Sequence, residues 1–239
     1  MFSDIIKGLG DYLKAISFIR QHRLLGSFLL YALIGIGLWG LIFWSVFSYS
    51  EILTEWIRSW IDWEWMSDRV INYAVRFVFI LIFLFIFRYI YIIVLSPFMV
   101  PLAQKVRHIM LGDFHPEMVQ SHFIKDFLRG LYLAMRSIWR EIFFTVIVLL
   151  LSFIPIFSLF APFVILMIQS YYAGFANLDY SLEGRYNLGE RINLVKSNKG
   201  LAIGNGAIFL LIMIIPIFGA GLALPLATAA GAISMYQRS

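Results

Sequence analysis

Cysteine is absent from the 239 residues, which excludes disulfides, thiol nucleophiles and cysteine metal sites and leaves the redox compartment unread. Charge is scarce. Only 14% of residues carry it, against about 25% in an average soluble domain. No HExxH, GxSxG or P-loop occurs, so the common hydrolytic and nucleotide-binding signatures are missing. The acids lie almost entirely outside the apolar runs. An enzyme working inside a bilayer would find only arginines at depth, and arginine is no general base near neutral pH. Neither catalysis, nor a cofactor, nor a nucleic-acid partner is expected. No polar or Ser/Pro/Gly-rich linker divides the chain, so a single membrane domain over 1–239 is expected.

What is present is apolar length. Hydrophobic residues make up 61% of the chain and aromatics 18%. Ile142 to Leu178 runs 37 residues without a charge, broken by Pro155 and Pro162. A helix crossing a bilayer needs roughly 20 apolar residues at about 1.5 Å each. Thirty-seven residues with a turn inside fall short of two crossings and exceed one. Two helices that enter the membrane, turn at a proline-bounded tip and leave by the same side fit the length better. Leu201 to Gln237 repeats the device: Ile215-Pro216-Ile217-Phe218 matches Ile154-Pro155-Ile156-Phe157, and Pro225 answers Pro162.

The segments before them read as follows. Residues 1–23 form an amphipathic interfacial helix, with Ile5, Leu9, Tyr12, Leu13 and Ile16 on one face and Asp4, Lys7, Asp11 and Lys14 opposite. Charges recur from Asp4 to Arg23 before any apolar run, unlike a cleavable signal. The first span covers 24–50; its GxGxxG at Gly35, Gly37 and Gly40 follows no strand and reads as helix-packing glycine. An outer loop, 51–69, carries Trp56, Trp60, Trp63 and Trp65 as an aromatic belt. The second span covers 70–97, with Pro97 and Pro101 expected to kink or end it. A cytoplasmic amphipathic region follows at 98–141, then hairpin 142–178, a cytoplasmic segment 179–200 and hairpin 201–237.

Of 19 Lys and Arg, 15 lie in the N-terminal segment, Lys105–Arg140, Asp179–Lys199 and the tail. By the positive-inside rule both termini are cytoplasmic. Six full spans would leave the same segments inside; segment length favours two long spans plus two hemi-penetrating hairpins.

Several stretches together carry a resemblance: Leu95-Ser96-Pro97-Phe98, Ile154-Pro155, Asp179-Tyr180-Ser181-Leu182, Asn198-Lys199-Gly200-Leu201-Ala202-Ile203-Gly204-Asn205-Gly206 and Pro225-Leu226-Ala227-Thr228-Ala229-Ala230-Gly231-Ala232. The chain resembles the CysZ-type sulfate permeases and the related etoposide-induced membrane proteins over most of its length. The resemblance implies an all-α protein of the bacterial inner membrane with two long transmembrane helices and two hemi-penetrating hairpins. It further implies a homo-oligomer built from dimers, and sulfate uptake that is channel-like or proton-linked. In one place the chain departs from that family. Its Gly-Leu/Ile-Arg-Arg motif, where the N-terminal helix meets the first span, is replaced by Arg23-Leu24-Leu25-Gly26.

Arg88 leads the candidates for anion chemistry. An arginine near the bilayer centre costs about 2.5–3.5 kcal/mol on insertion scales, and one kept there faces a cavity, a partner or a pathway. The competing reading is an ion pair, with Glu141, or snorkelling. Arg76, 12 positions earlier, reads as an outer-surface snorkeller and a secondary candidate. Arg23 stands before the first amides of a span, Leu24 to Ser27, and free amides at a helix start form an oxyanion site; Gly26 would admit a close anion. The stripe Lys125, Arg129, Arg136 and Arg140 could collect anions or bind anionic lipid headgroups. Asn177, Asn198, Asn205 and Gln169 read as interhelical hydrogen-bonding groups, with Asn205 also a pathway candidate. His108, His115 and His122 are seven apart, but Gly112 and Pro116 interrupt any helix between them, so no metal site is expected. The function expected is passage of sulfate or a similar small anion; the alternative is a scaffold that shapes the bilayer without permeation.

Overall fold

A computed structural model describes residues 2–58, 68–112 and 123–237. Every element among them is helical: α1 (Phe2–Gln21), α2 (Leu25–Arg58), α3 (Asp68–Leu111), α4 (Phe123–Leu151), α5 (Pro155–Leu182), α6 (Leu188–Ser197), α7 (Lys199–Met213) and α8 (Pro216–Tyr236). Among the described residues four stretches are long and apolar enough to cross a bilayer: Leu25–Ser45, Ile86–Leu111, Pro155–Leu182 and Ile217–Tyr236. The chain is an all-α membrane protein.

The second span does not stop at its prolines. Proline removes an amide donor and so orphans the carbonyl four residues earlier. For Pro97 that carbonyl belongs to Ile93, and the Ser96 hydroxyl donates to it at 3.0 Å. Side-chain rescue of this kind lets membrane helices carry proline. α3 therefore continues to Leu111, with Leu95, Met99, Val100, Leu102 and Val106 buried along it. α2 likewise runs past Ser50 to Arg58. Of the expected aromatic belt, Trp56 is exposed, and Trp60, Trp63 and Trp65 lie outside the described residues.

α4–α5 and α7–α8 turn in the same way. Ile154 (φ −86°, ψ 121°) and Ile215 (φ −88°, ψ 105°) are extended, and each is followed by a proline at the first helical position. There proline's missing N–H is no loss and its fixed φ suits the helix. The two Ile-Pro pairs are thus the same start signal used twice.

α7 is the centre of the packing. A Cβ on Gly206 would lie 1.8 Å from the Ser170 carbonyl oxygen, and one on Gly204 would lie 2.3 Å from that of Ile5. α7 therefore touches α5 and α1 backbone to backbone, an approach only small residues permit. Asn205, between those glycines, bonds three helices. Its amide donates to the Ala227 carbonyl at 2.9 Å and accepts from Asn177 at 2.8 Å, while its own carbonyl accepts from the Tyr12 hydroxyl at 2.8 Å. The α2 glycines are used more sparingly: Gly35 meets the Ala220 carbonyl, while Gly37 and Gly40 meet nothing within 4 Å.

The expected faces of α1 divide. Gly8, Asp11, Tyr12, Ala15 and Ile19 are buried, against α7 and α8. Leu13 (73% exposed) and Ile16 (52%), expected beside Tyr12, face outward. Asp11, expected on the polar face, is fully buried and bonds Lys14 at 2.7 Å and the Ser234 hydroxyl. A helical wheel reports directions about one axis, whereas α1 is covered by neighbours from the far end of the chain.

Candidate functional site

The buried cations show how much positive charge the fold leaves over. Arg191 on α6 grips Asp179 at the end of α5, Nε to Oδ1 at 2.9 Å and Nη2 to Oδ2, and its Nη1 lies 3.4 Å from Glu183. Glu183 also pairs with Arg129 of α4. α6 is set in place by a capping box, in which Asn187 accepts from the Glu190 amide and Glu190 from the Asn187 amide. Asp179, Glu183 and Arg191 escaped sequence reasoning as a cluster; the signal was present in the Asp-Tyr-Ser-Leu stretch at 179–182, but only as a resemblance.

Arg88 is 7% exposed and Glu141 2%. The guanidinium donates through Nη2 to Glu141 Oε1 and to the Tyr89 hydroxyl, and lies over the Tyr89 ring at 4.5 Å from its centroid. The intramembrane arginine is therefore charge-compensated, as the ion-pair reading of the sequence has it. Arg76 lies on α3, with its side chain outside the described set.

Arg23 occupies the turn between α1 and α2 with φ 54°, a left-handed conformation uncommon for a side-chain-bearing residue. Its side chain is exposed, and Leu24 is buried. Of the expected free amides, Leu24 donates to Ile19 (3.1 Å) and Ser27 to Leu24 (3.1 Å), so half of the proposed donors, leaving Leu25 and Gly26, are already engaged. Gly26 does face open space. Arg23 and Arg88 do not converge. Gly35 packs on Tyr91, close to Arg88 in sequence, and at 1.5 Å per residue Arg23 stands about 18 Å along α2 from Gly35.

A pocket does form where α4, α5 and α6 meet. Arg136, Arg140 and Lys196 line it together with Ser137, Tyr171, Tyr172 and Phe175, an open-mouthed cleft enclosing about 20 Å³ of water-accessible space. Arg136 and Arg140 are four apart on α4 and so share a face. No carboxylate is among the lining residues, and among the described residues no ion pair takes up these three cations. The basic stripe is thus put to two uses: Arg129 is paired, and Arg136 with Arg140 opens onto the pocket. Lys125 has its side chain outside the described set. Lys196, Tyr171 and Tyr172 were missed from the sequence, because nothing in their spacing ties them to α4.

Asn205, a secondary candidate, has its amide fully engaged in holding helices together. Burial pushes the Tyr12 phenol that bonds it well above its ordinary value, against a smaller opposing pull from the Phe209 amide, so the hydroxyl remains a neutral donor. His115 and His122 lie outside the described residues, and among the described residues no cluster of His, Asp or Glu could hold a metal ion.

The family model described as sulfate transporter CysZ/etoposide-induced protein 2.4 matches residues 11–222. No individual curated protein matches the chain.

Proposed function

The chain belongs to the sulfate transporter CysZ/etoposide-induced protein 2.4 family, and from that premise we propose that it passes sulfate across the bacterial inner membrane as a non-catalytic anion permease. In this reading both termini are cytoplasmic, the hairpins reach part of the way across, and a dimer-based homo-oligomer encloses the path. One observation carries it: Arg136, Arg140 and Lys196 converge on a single pocket whose lining holds no carboxylate. Uncompensated positive charge with low-dielectric walls raises the local concentration of anions. Guanidinium groups supply planar, charge-assisted donors matched to oxyanions. A doubly charged tetrahedral anion gains more from three such cations than a singly charged one.

Radiolabelled sulfate uptake into proteoliposomes tests the proposal. A charge-assisted hydrogen bond contributes roughly 1.5–3 kcal/mol, so the double variant Arg136→Ala/Arg140→Ala is expected to lose at least about tenfold in initial rate. Equal rates in folded wild type and variant would refute the site. The rival scaffold reading predicts no uptake by either protein.

A further inference from the structure

Two buried arginine–carboxylate pairs in this chain are made differently. Arg191 holds Asp179 with two nitrogens on two oxygens, the forked grip that fixes geometry as well as charge. Arg88 meets Glu141 through one nitrogen and one oxygen, and the same nitrogen also serves the Tyr89 hydroxyl. The end-on pair leaves the rest of the Arg88 fork, its Nε and Nη1, outside that grip. A buried pair returns little net stability, because desolvating two charges offsets their attraction. The end-on pair has fewer direct contacts between its two charges, and the Tyr89 hydroxyl bonds both partners.

Its position gives that pair a use. Glu141 follows Arg140 directly on α4, and Arg140 lines the pocket. The carboxylate that covers Arg88 is therefore one residue along α4 from the pocket lining, itself buried. Resting on the transport reading above, we propose that Arg88 is a second oxyanion seat, occupied at rest by the protein's own Glu141. An incoming tetrahedral dianion held by Arg136, Arg140 and Lys196 displaces that carboxylate and takes its place on the guanidinium. Glu141 is then the residue that limits passage, a tethered occupant of the site it guards.

A double-mutant cycle separates this role from simple pairing. Sulfate uptake and thermal stability are measured in proteoliposomes and detergent for wild type, Glu141→Gln, Arg88→Gln and the double variant. With Glu141 as occupant, Glu141→Gln raises the initial rate several-fold and Arg88→Gln lowers it about tenfold. The double variant, freed of an unpaired buried charge, melts near wild type but transports as poorly as Arg88→Gln. A double variant that recovers both stability and rate overturns the inference, since the pair is then structural only. So does a folded Glu141→Gln with an unchanged rate. If either single variant fails to fold, the double alone decides between these outcomes. Absence of uptake by wild type overturns the transport reading itself, and this inference with it.

Discussion

Gly206 shows how little room single residues have. Its Cβ position is 1.8 Å from the Ser170 carbonyl oxygen, whereas Gly40 meets nothing within 4 Å. Overpacking a tight contact costs about 1–3 kcal/mol, and replacing glycine by alanine in an open helical position gains roughly 0.5–1 kcal/mol. Gly206→Ala is therefore expected to lower the detergent melting temperature, and Gly40→Ala to hold or raise it. A Gly206→Ala protein as stable as wild type would show that α5 and α7 are not in backbone contact. At this scale legibility followed the kind of partner a residue has. Arg88 stood out because an arginine in an apolar run needs a reason, and Glu141 was already named as one way to supply it. Asp11 gave no such signal. Its burial depends on Ser234, more than 200 positions away, and no helical wheel drawn on α1 contains that residue. Lys196 was invisible for the same reason, since its neighbours in the pocket sit on other helices.

Among the elements, the turns were easier to read than the helix ends. Each Ile-Pro pair marks a start, because proline at the first helical position acts locally and carries its own geometry. α3 runs on past the prolines expected to kink or end it, because whether a helix survives a proline depends on what rescues it, here the Ser96 hydroxyl on Ile93. The depth of the hairpins bears on the proposed path. α7 has 15 residues, or about 22 Å at 1.5 Å each, against a hydrocarbon core of about 30 Å. Single cysteines placed at the exposed Ser158 and Phe218 test this. Hemi-penetrating tips are expected to react poorly with a membrane-impermeant maleimide from outside, and ready labelling at both would establish full crossings. Gly219, next to Phe218, is unsuitable, because a Cβ there would lie 2.7 Å from the Met213 Cα.

For the whole molecule, composition alone established a membrane protein of helices, since scarce charge and long apolar runs admit little else. The connectivity of the core was not accessible that way. The bond from Tyr12 to Asn205 joins residues 193 apart, and the glycines at 204 and 206 close on α1 at the start of the sequence and on α5. That knot has a consequence in time. A chain made at about 5–20 residues per second exposes α1 roughly 10–40 s before α7 exists to receive it. Chains stalled before residue 199 are expected to leave position 12 open to a cysteine probe, and chains released at full length to protect it. During that interval the face of α1 that carries Tyr12 and Ile19, buried in the finished protein, has no α7 to cover it.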